Sequence, residues 1–249
     1  MIINNTILNN FGIVDNNLLP DSMLINRVDS KFFFHKNDIK DIILQIANDY
    51  SIIDYGHGLI NNYLTEYYDT EDFLFYLNHH NKKNNRLKLR FRSYINSEID
   101  YFEIKRKKNG KTLKDRKKLL KNNLDNQIEN FKSKHNFEVE IETKLFTQFN
   151  RITFVNNSKT ERVTLDFNLN FFIDDTKSNL SDICVLELKQ ERLNRNSNLF
   201  SILRNKNIRK SKFSKYFVGV NLLYPNIKNN AFKETKLKLD KMNLKGIIC

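Results

Sequence analysis

The stretch Leu87-Lys88-Leu89-Arg90-Phe91-Arg92-Ser93-Tyr94 constrains the fold of this chain more than any other. As a β-strand it sends Leu87, Leu89 and Phe91 to one side and Lys88, Arg90 and Arg92 to the other, because successive side chains alternate faces. Three cations along one face repel each other, and on a lone strand they would simply be solvated. That reading weakens when neighbouring strands repeat the habit.

They do. Ile25 to His35 reads as a strand with Arg27, Asp29 and Lys31 on one parity, followed by an amphipathic helix carrying Ile39, Ile42, Ile43 and Ile46. Leu64 to Thr70 reads as a strand into a turn, and Thr70 to His80 as a short helix. Tyr101 to Lys107 sets Phe102 and Ile104 against Glu103, Lys105 and Lys107, and Asn109-Gly110 signals a tight turn back onto 111–117. Leu119 to Phe131 is helical by pattern. Further strands are expected over Phe137–Phe146, Arg151–Val155, Arg162–Phe172 and Ile183–Gln190, the third with Val163, Leu165, Phe167 and Leu169 on one face. Residues 1–22 read as an arm or short helix, 192–209 as helix and loop, and Phe217–Leu222 as a last apolar segment. With no linker, repeat or low-complexity block, 1–249 reads as one domain.

The polar faces collect Lys31, Arg90, Arg92, Lys105, Lys107, Arg151, Arg162, Lys189 and Lys215 against Asp29, Glu103, Asp166 and Glu187. Two architectures accommodate this: an open sheet wetted on one side, or a barrel turned polar-inward, with the helices at 39–48 and 119–131 covering the apolar outer face. The formal charge of +13 favours an anionic partner. Phe91, Phe102 and Phe167 fall on the opposite parity from the cations, so the basic face offers few stacking platforms and suits phosphates better than bases. Nucleic acid is therefore not the expected partner. Two cysteines, Cys184 and Cys249, form no disulfide framework. No apolar run is long enough to cross a bilayer and Met1–Asn5 is no signal peptide, so the expected location is cytoplasmic.

Several runs together resemble the vacuolar transporter chaperone (VTC) type polyphosphate polymerase domain: Tyr67-Tyr68-Asp69-Thr70, His79-His80, Arg86–Tyr94, Phe102-Glu103-Ile104-Lys105, Asn150–Phe154, Arg162–Leu169, Leu186-Glu187-Leu188-Lys189 and Lys212-Phe213-Ser214-Lys215-Tyr216. They occur in the family's order from Arg27 to about Gly219. The resemblance implies the triphosphate tunnel metalloenzyme (CYTH-like) superfamily, hence an α+β fold with a closed antiparallel barrel, about eight strands, around a basic tunnel. It implies transfer of the ATP γ-phosphoryl group to a growing polyphosphate chain, with Mn²⁺ or Mg²⁺. Position by position, Lys31, Arg90, Arg92, Lys105, Lys114, Arg151, Arg162 and Lys215 match phosphate-contacting residues and Glu187 the metal-coordinating glutamate. Lys107 and Lys189 join them as substrate contacts by strand parity. Arg27-x-Asp29-x-Lys31 departs from the superfamily's E-x-E-x-K pattern, which weakens the case for a two-metal site. Nothing in these residues resembles the regulatory domain or membrane helices of the eukaryotic proteins, and any membrane-protein partner would lie outside this chain.

Phosphoryl transfer asks mainly for positioning and charge stabilisation, and an ionised phosphate acceptor needs no general base. Asp166 and Glu103 read as residues that orient cations. Glu138, Glu140 and Glu142 read as a solvated face rather than a metal cluster, and His79-His80, without a third ligand at suitable spacing, as structural. His35, His57 and His135 receive no role. The alternatives are a triphosphate or polyphosphate hydrolase on the same fold, a non-catalytic polyanion-binding module and, last, a nucleic-acid binder.

Overall fold

The computed structural model describes residues 3, 5–19, 27–109, 111–119, 121–134 and 138–245. Ile25, Gly110, His135, Phe137 and Cys249, named above, lie outside them. Among the described residues the elements run α1 (Asn5–Leu8), β1 (Gly12–Asp15), β2 (Val28–His35), α2 (Ile39–Ile46), β3 (Tyr50–Asp54), β4 (Asn61–Asp69), α3 (Leu74–His80), β5 (Arg86–Tyr94), β6 (Ile99–Lys108), β7 (Lys111–Lys118), α4 (Leu124–Lys134), β8 (Glu142–Asn156), β9 (Glu161–Ile173), β10 (Thr176–Leu180), β11 (Ile183–Gln190), α5 (Asn198–Asn205), α6 (Lys215–Leu223) and α7 (Lys233–Lys245). No described helix is long and apolar enough to cross a membrane.

One antiparallel path runs β2-β11-β9-β8-β4-β5-β6-β7, with β3 and β10 attached at its sides and β1 parallel to β3. The fold is α+β as expected, but the barrel is not closed. Among the described residues, β7 pairs only with β6 and β2 only with β11. The edges explain why. Every residue of β7 is exposed, and five of its eight are cations, a composition that discourages edge pairing. At the other edge the Ser211 N–H donates to the Lys31 carbonyl at 2.8 Å, so the segment leading into α6 engages β2.

The convex face of the curled sheet is apolar. Phe32, Phe34, Ile152, Phe154, Leu165 and Leu186 pack beneath α1, α2 and α5, and Leu89, Phe91 and Phe102 beneath α4, so the helices at 39–48 and 119–131 cover the outer face. The two separate strands expected at 137–146 and 151–155 are instead represented by one continuous strand, β8. Glu138 and Glu140 precede it and, with Glu142, are exposed.

On β9 the predicted parity holds through Phe167 and then breaks. Asn168 adopts a left-handed φ of 54° where the β8–β9 register shifts, and an extra residue in a strand reverses the facing of all that follow. Leu169 and Phe171 therefore join the concave cluster with Phe33, Leu145, Phe217 and Val220, leaving Val163, Leu165 and Phe167 on the convex side. The concave face is thus divided: α6 fills its apolar half, and the other half stays polar. α6 sits close enough that a Cβ at Gly219 would approach Leu145 Cδ2 to 2.6 Å and Phe171 Cδ1 to 2.7 Å, so only glycine fits there.

Candidate active site

The polar half of the concave face encloses a cavity of about 740 Å³. Strand alternation puts Asp29 and Lys31 (β2), Lys88, Arg90 and Arg92 (β5), Lys105 (β6), Lys114 and Arg116 (β7), Arg151 (β8), Arg162 and Asp166 (β9), and Glu187 and Lys189 (β11) on its walls, with Lys215 entering from the first turn of α6. All the expected site residues line it except Lys107. That residue sits opposite Arg86 and Thr112, one step along the ladder beyond Lys88 and Lys105.

Three carboxylates space these cations. Glu103, 1% exposed, ion-pairs with Arg90 Nε at 2.6 Å and Lys114 Nζ at 2.5 Å, with Arg116 and Arg92 at 3.7 and 3.8 Å. Asp166 accepts from Arg151 Nε and Nη2 at 2.5 and 2.8 Å and is also bound by Lys215. Glu187 accepts from Lys31 Nζ at 2.5 Å and Lys189 Nζ at 3.1 Å. Planar guanidiniums held this way cannot swing freely, which suits fixed bidentate contacts to phosphate oxygens. The buried Nε of Arg92 has no hydrogen-bond partner among the described residues.

Electrostatics confirm the crowding. Burial opposes charge on all three acids, yet their cations win: Arg90 and Arg92 hold Glu103, Arg151 and Lys215 hold Asp166, and Lys189 and Lys31 hold Glu187 well below the usual carboxylate range. The lysines are lowered too, but for them the shift disfavours the charged form. Burial, then Lys105 and Arg90, push Lys88 down to about 7. Burial lowers Lys189 and Lys215 to about 8 despite Glu187 and Asp166 beside them. Such a cavity is a strained cationic site that an entering anion would relieve.

In the motif Tyr67-Tyr68-Asp69-Thr70, Tyr67 lines the cavity and Asp69 serves the site from outside. Asp69, fully buried, accepts from the backbone of Phe75 and Tyr76 at the start of α3 and from the Tyr216 hydroxyl. It thereby anchors α6 one residue from Lys215. Ser214 caps α6, accepting from Phe217 N–H, and also accepts from Lys88 Nζ at 2.8 Å. His80 accepts from the Ala231 N–H and His79 packs on Phe217, so both histidines are structural, as read from the sequence.

Strand parity, applied consistently, would also have added residues that the expected site omits. Lys88 shares the face of Arg90, Arg116 that of Lys114, and Tyr94 and Tyr101 continue the faces of Arg92 and Glu103; all line the cavity. The tyrosines correct the expectation of few aromatic platforms. Phe91, Phe102 and Phe167 do point away, but Tyr55, Tyr63, Tyr67, Tyr94 and Tyr101 face inward.

Among the described residues no three His, Cys, Asp or Glu side chains form a group able to hold a metal. Glu187, with both oxygens already on lysines, fits a hard dication that arrives with phosphate ligands rather than one held in a cage of its own.

The chain is similar to solved structures at low identity. A Bacillus halodurans protein described as a "putative adenylate cyclase" superposes with a TM-score of 0.51 at 15% identity, covering 76% of this chain and 96% of that one. A Vibrio parahaemolyticus protein of the same description gives 0.46 at 14% identity, with 77% and 97% covered. The PH1819 protein of Pyrococcus horikoshii gives 0.45 at 13%, with 78% and 99% covered. No curated protein sequence matches the chain. The family model described as the VTC domain matches residues 26–224, the span that contributes every strand of the cavity wall, and the protein belongs to that family.

Proposed function

We propose that the cavity binds strings of phosphate and that the protein transfers the γ-phosphoryl group of ATP to a growing polyphosphate chain. The observation that carries this reading is the set of arginines at Arg90, Arg92 and Arg151, inward-facing and braced by buried carboxylates, among lysines that lack enough acid to neutralise them. A terminal phosphate oxygen of the acceptor forms the new bond to the γ-phosphorus as the bond to the β–γ bridging oxygen breaks, and ADP leaves. Lys31, Lys105, Lys114, Arg162, Lys189 and Lys215 hold the two phosphate chains against their mutual repulsion, and the arginines stabilise charge on the transferring group. Glu187 is the residue to ligate Mn²⁺ or Mg²⁺, which when bound neutralises nucleotide oxygens. An open seam between β7 and β2 is compatible with this chemistry, because the cations converge whether or not the ladder closes.

Incubation with ATP and Mn²⁺ or Mg²⁺ tests the proposal. Long phosphate polymers on a gel support the polymerase; free phosphate alone means a hydrolase on the same fold. No turnover with any dication, together with retained polyphosphate binding, means a binding module. Glu187→Ala is expected to abolish turnover while leaving much of the anion affinity in place.

A further inference from the structure

Lysines and arginines grip phosphates without regard to what the phosphates are attached to, so the cationic walls do not by themselves distinguish ATP from inorganic tripolyphosphate. The end of the cavity at the 95–98 turn differs in kind. Tyr94 ends β5 and pairs with Ile99, while Tyr101 pairs with Arg92. Their rings meet edge-on at 5.6 Å. The Arg116 guanidinium lies 3.4 Å above the Tyr101 ring and donates from Nη2 to the Tyr94 hydroxyl at 2.8 Å. Behind them Tyr63 is buried against Phe149, the two rings stacked at 5.2 Å, and backs Tyr94 at 4.8 Å. A flat cation is thus clamped by two tyrosines, on a strand whose residues are all exposed.

A row of cations starts beside it. Arg92, Arg90 and Lys88 follow along the same face at steps of about 7 Å, two residues of strand each, leading away from the shelf toward Ser214 and α6. An arginine plane and tyrosine rings are the groups on which nucleobases stack, irrespective of sequence.

We propose that Tyr94, Tyr101 and Arg116 form a base shelf that seats the purine of ATP and sets its triphosphate running inward past Arg92 and Arg90. This rests on the reading that the cavity takes ATP, and it adds which end the nucleotide enters and which residues select it over bare phosphate chains.

The test is a titration of wild type, Tyr101→Leu, Tyr101→Phe and Arg116→Lys with ATP and, separately, with tripolyphosphate, at one fixed Mg²⁺ concentration. Losing a stacking partner costs about tenfold in affinity. The expected result is an approximately tenfold loss for ATP in Tyr101→Leu, with tripolyphosphate within about twofold and Tyr101→Phe like wild type. Arg116→Lys, which keeps the charge and loses the plane, is expected to follow Tyr101→Leu. Equal losses for both ligands in Tyr101→Leu, or no loss for either, overturn the shelf while leaving the phosphate site standing. Wild type that binds neither ligand overturns the phosphate site, and the shelf falls with it.

Discussion

Replacing Glu103 by Gln removes the buried anion on which four cations converge. At 2.6 and 2.5 Å, each of the two close ion pairs is worth about 6 kcal/mol of attraction at an effective dielectric of 20. Desolvation of the buried carboxylate offsets much of that. Lys114 and Arg116 are exposed by 44% and 37%, so solvent screens their share. What remains after truncation is the cost of leaving Arg90 and Arg92, 24% and 10% exposed, beside one another without a counter-charge. Breaking a buried pair in this way costs about 3–5 kcal/mol. Urea denaturation of the ligand-free protein measures it, and with a slope of about 3 kcal/mol/M the midpoint falls by about 1–2 M. Glu138→Gln, exposed and carrying the same change in net charge, is the control and is expected to leave the midpoint in place. Tripolyphosphate added to the Glu103→Gln protein is expected to restore part of the lost stability, since a mobile anion replaces the fixed one. An unchanged midpoint in Glu103→Gln, or an equal drop in the control, refutes the idea that this carboxylate braces the arginines.

The pH dependence carries a definite sign. Lys88 titrates at about 7, and Lys189 and Lys215 at about 8, in the folded protein, all below the value of about 10.4 for an unfolded chain. Between these limits the unfolded state holds more protons, so ligand-free stability from these groups rises as pH increases from 7 toward 10. Tripolyphosphate affinity is expected to fall over the same range, and binding at pH 8 to take up protons, read from calorimetry in buffers of differing ionisation enthalpy. Gly219→Ala forces a methyl between Leu145 and Phe171, both fully buried. Overpacking of about 1–3 kcal/mol, against a helix-propensity gain of up to about 1 kcal/mol, predicts a net loss. Thermal unfolding is expected to drop by about 2–6 °C; an unchanged transition would mean that α6 does not sit against the sheet.

Much of this molecule is readable from local pattern. Alternation located β5 and β11, helical spacing located α2 with Ile39, Ile42, Ile43 and Ile46 buried, and shared parity brought together most of the cations of the wall, Lys88, Lys114 and Arg116 excepted. That success has a physical cause: a strand's two faces see different solvents, so its composition records which side is which. Four features depended on tertiary structure. The reversal at Asn168 arises from a register shift between β8 and β9, and nothing local in the residues of β9 requires it. The open seam depends on how the segment before α6 meets the edge of β2, a contact between residues 180 positions apart in sequence (Lys31 and Ser211). The pairing of each carboxylate with its own cations, and the clamping of Arg116 over Tyr101, depend on distances across strands. Electrostatic and stacking energies vary steeply over a few ångströms, whereas sequence periodicity specifies only the side of the sheet.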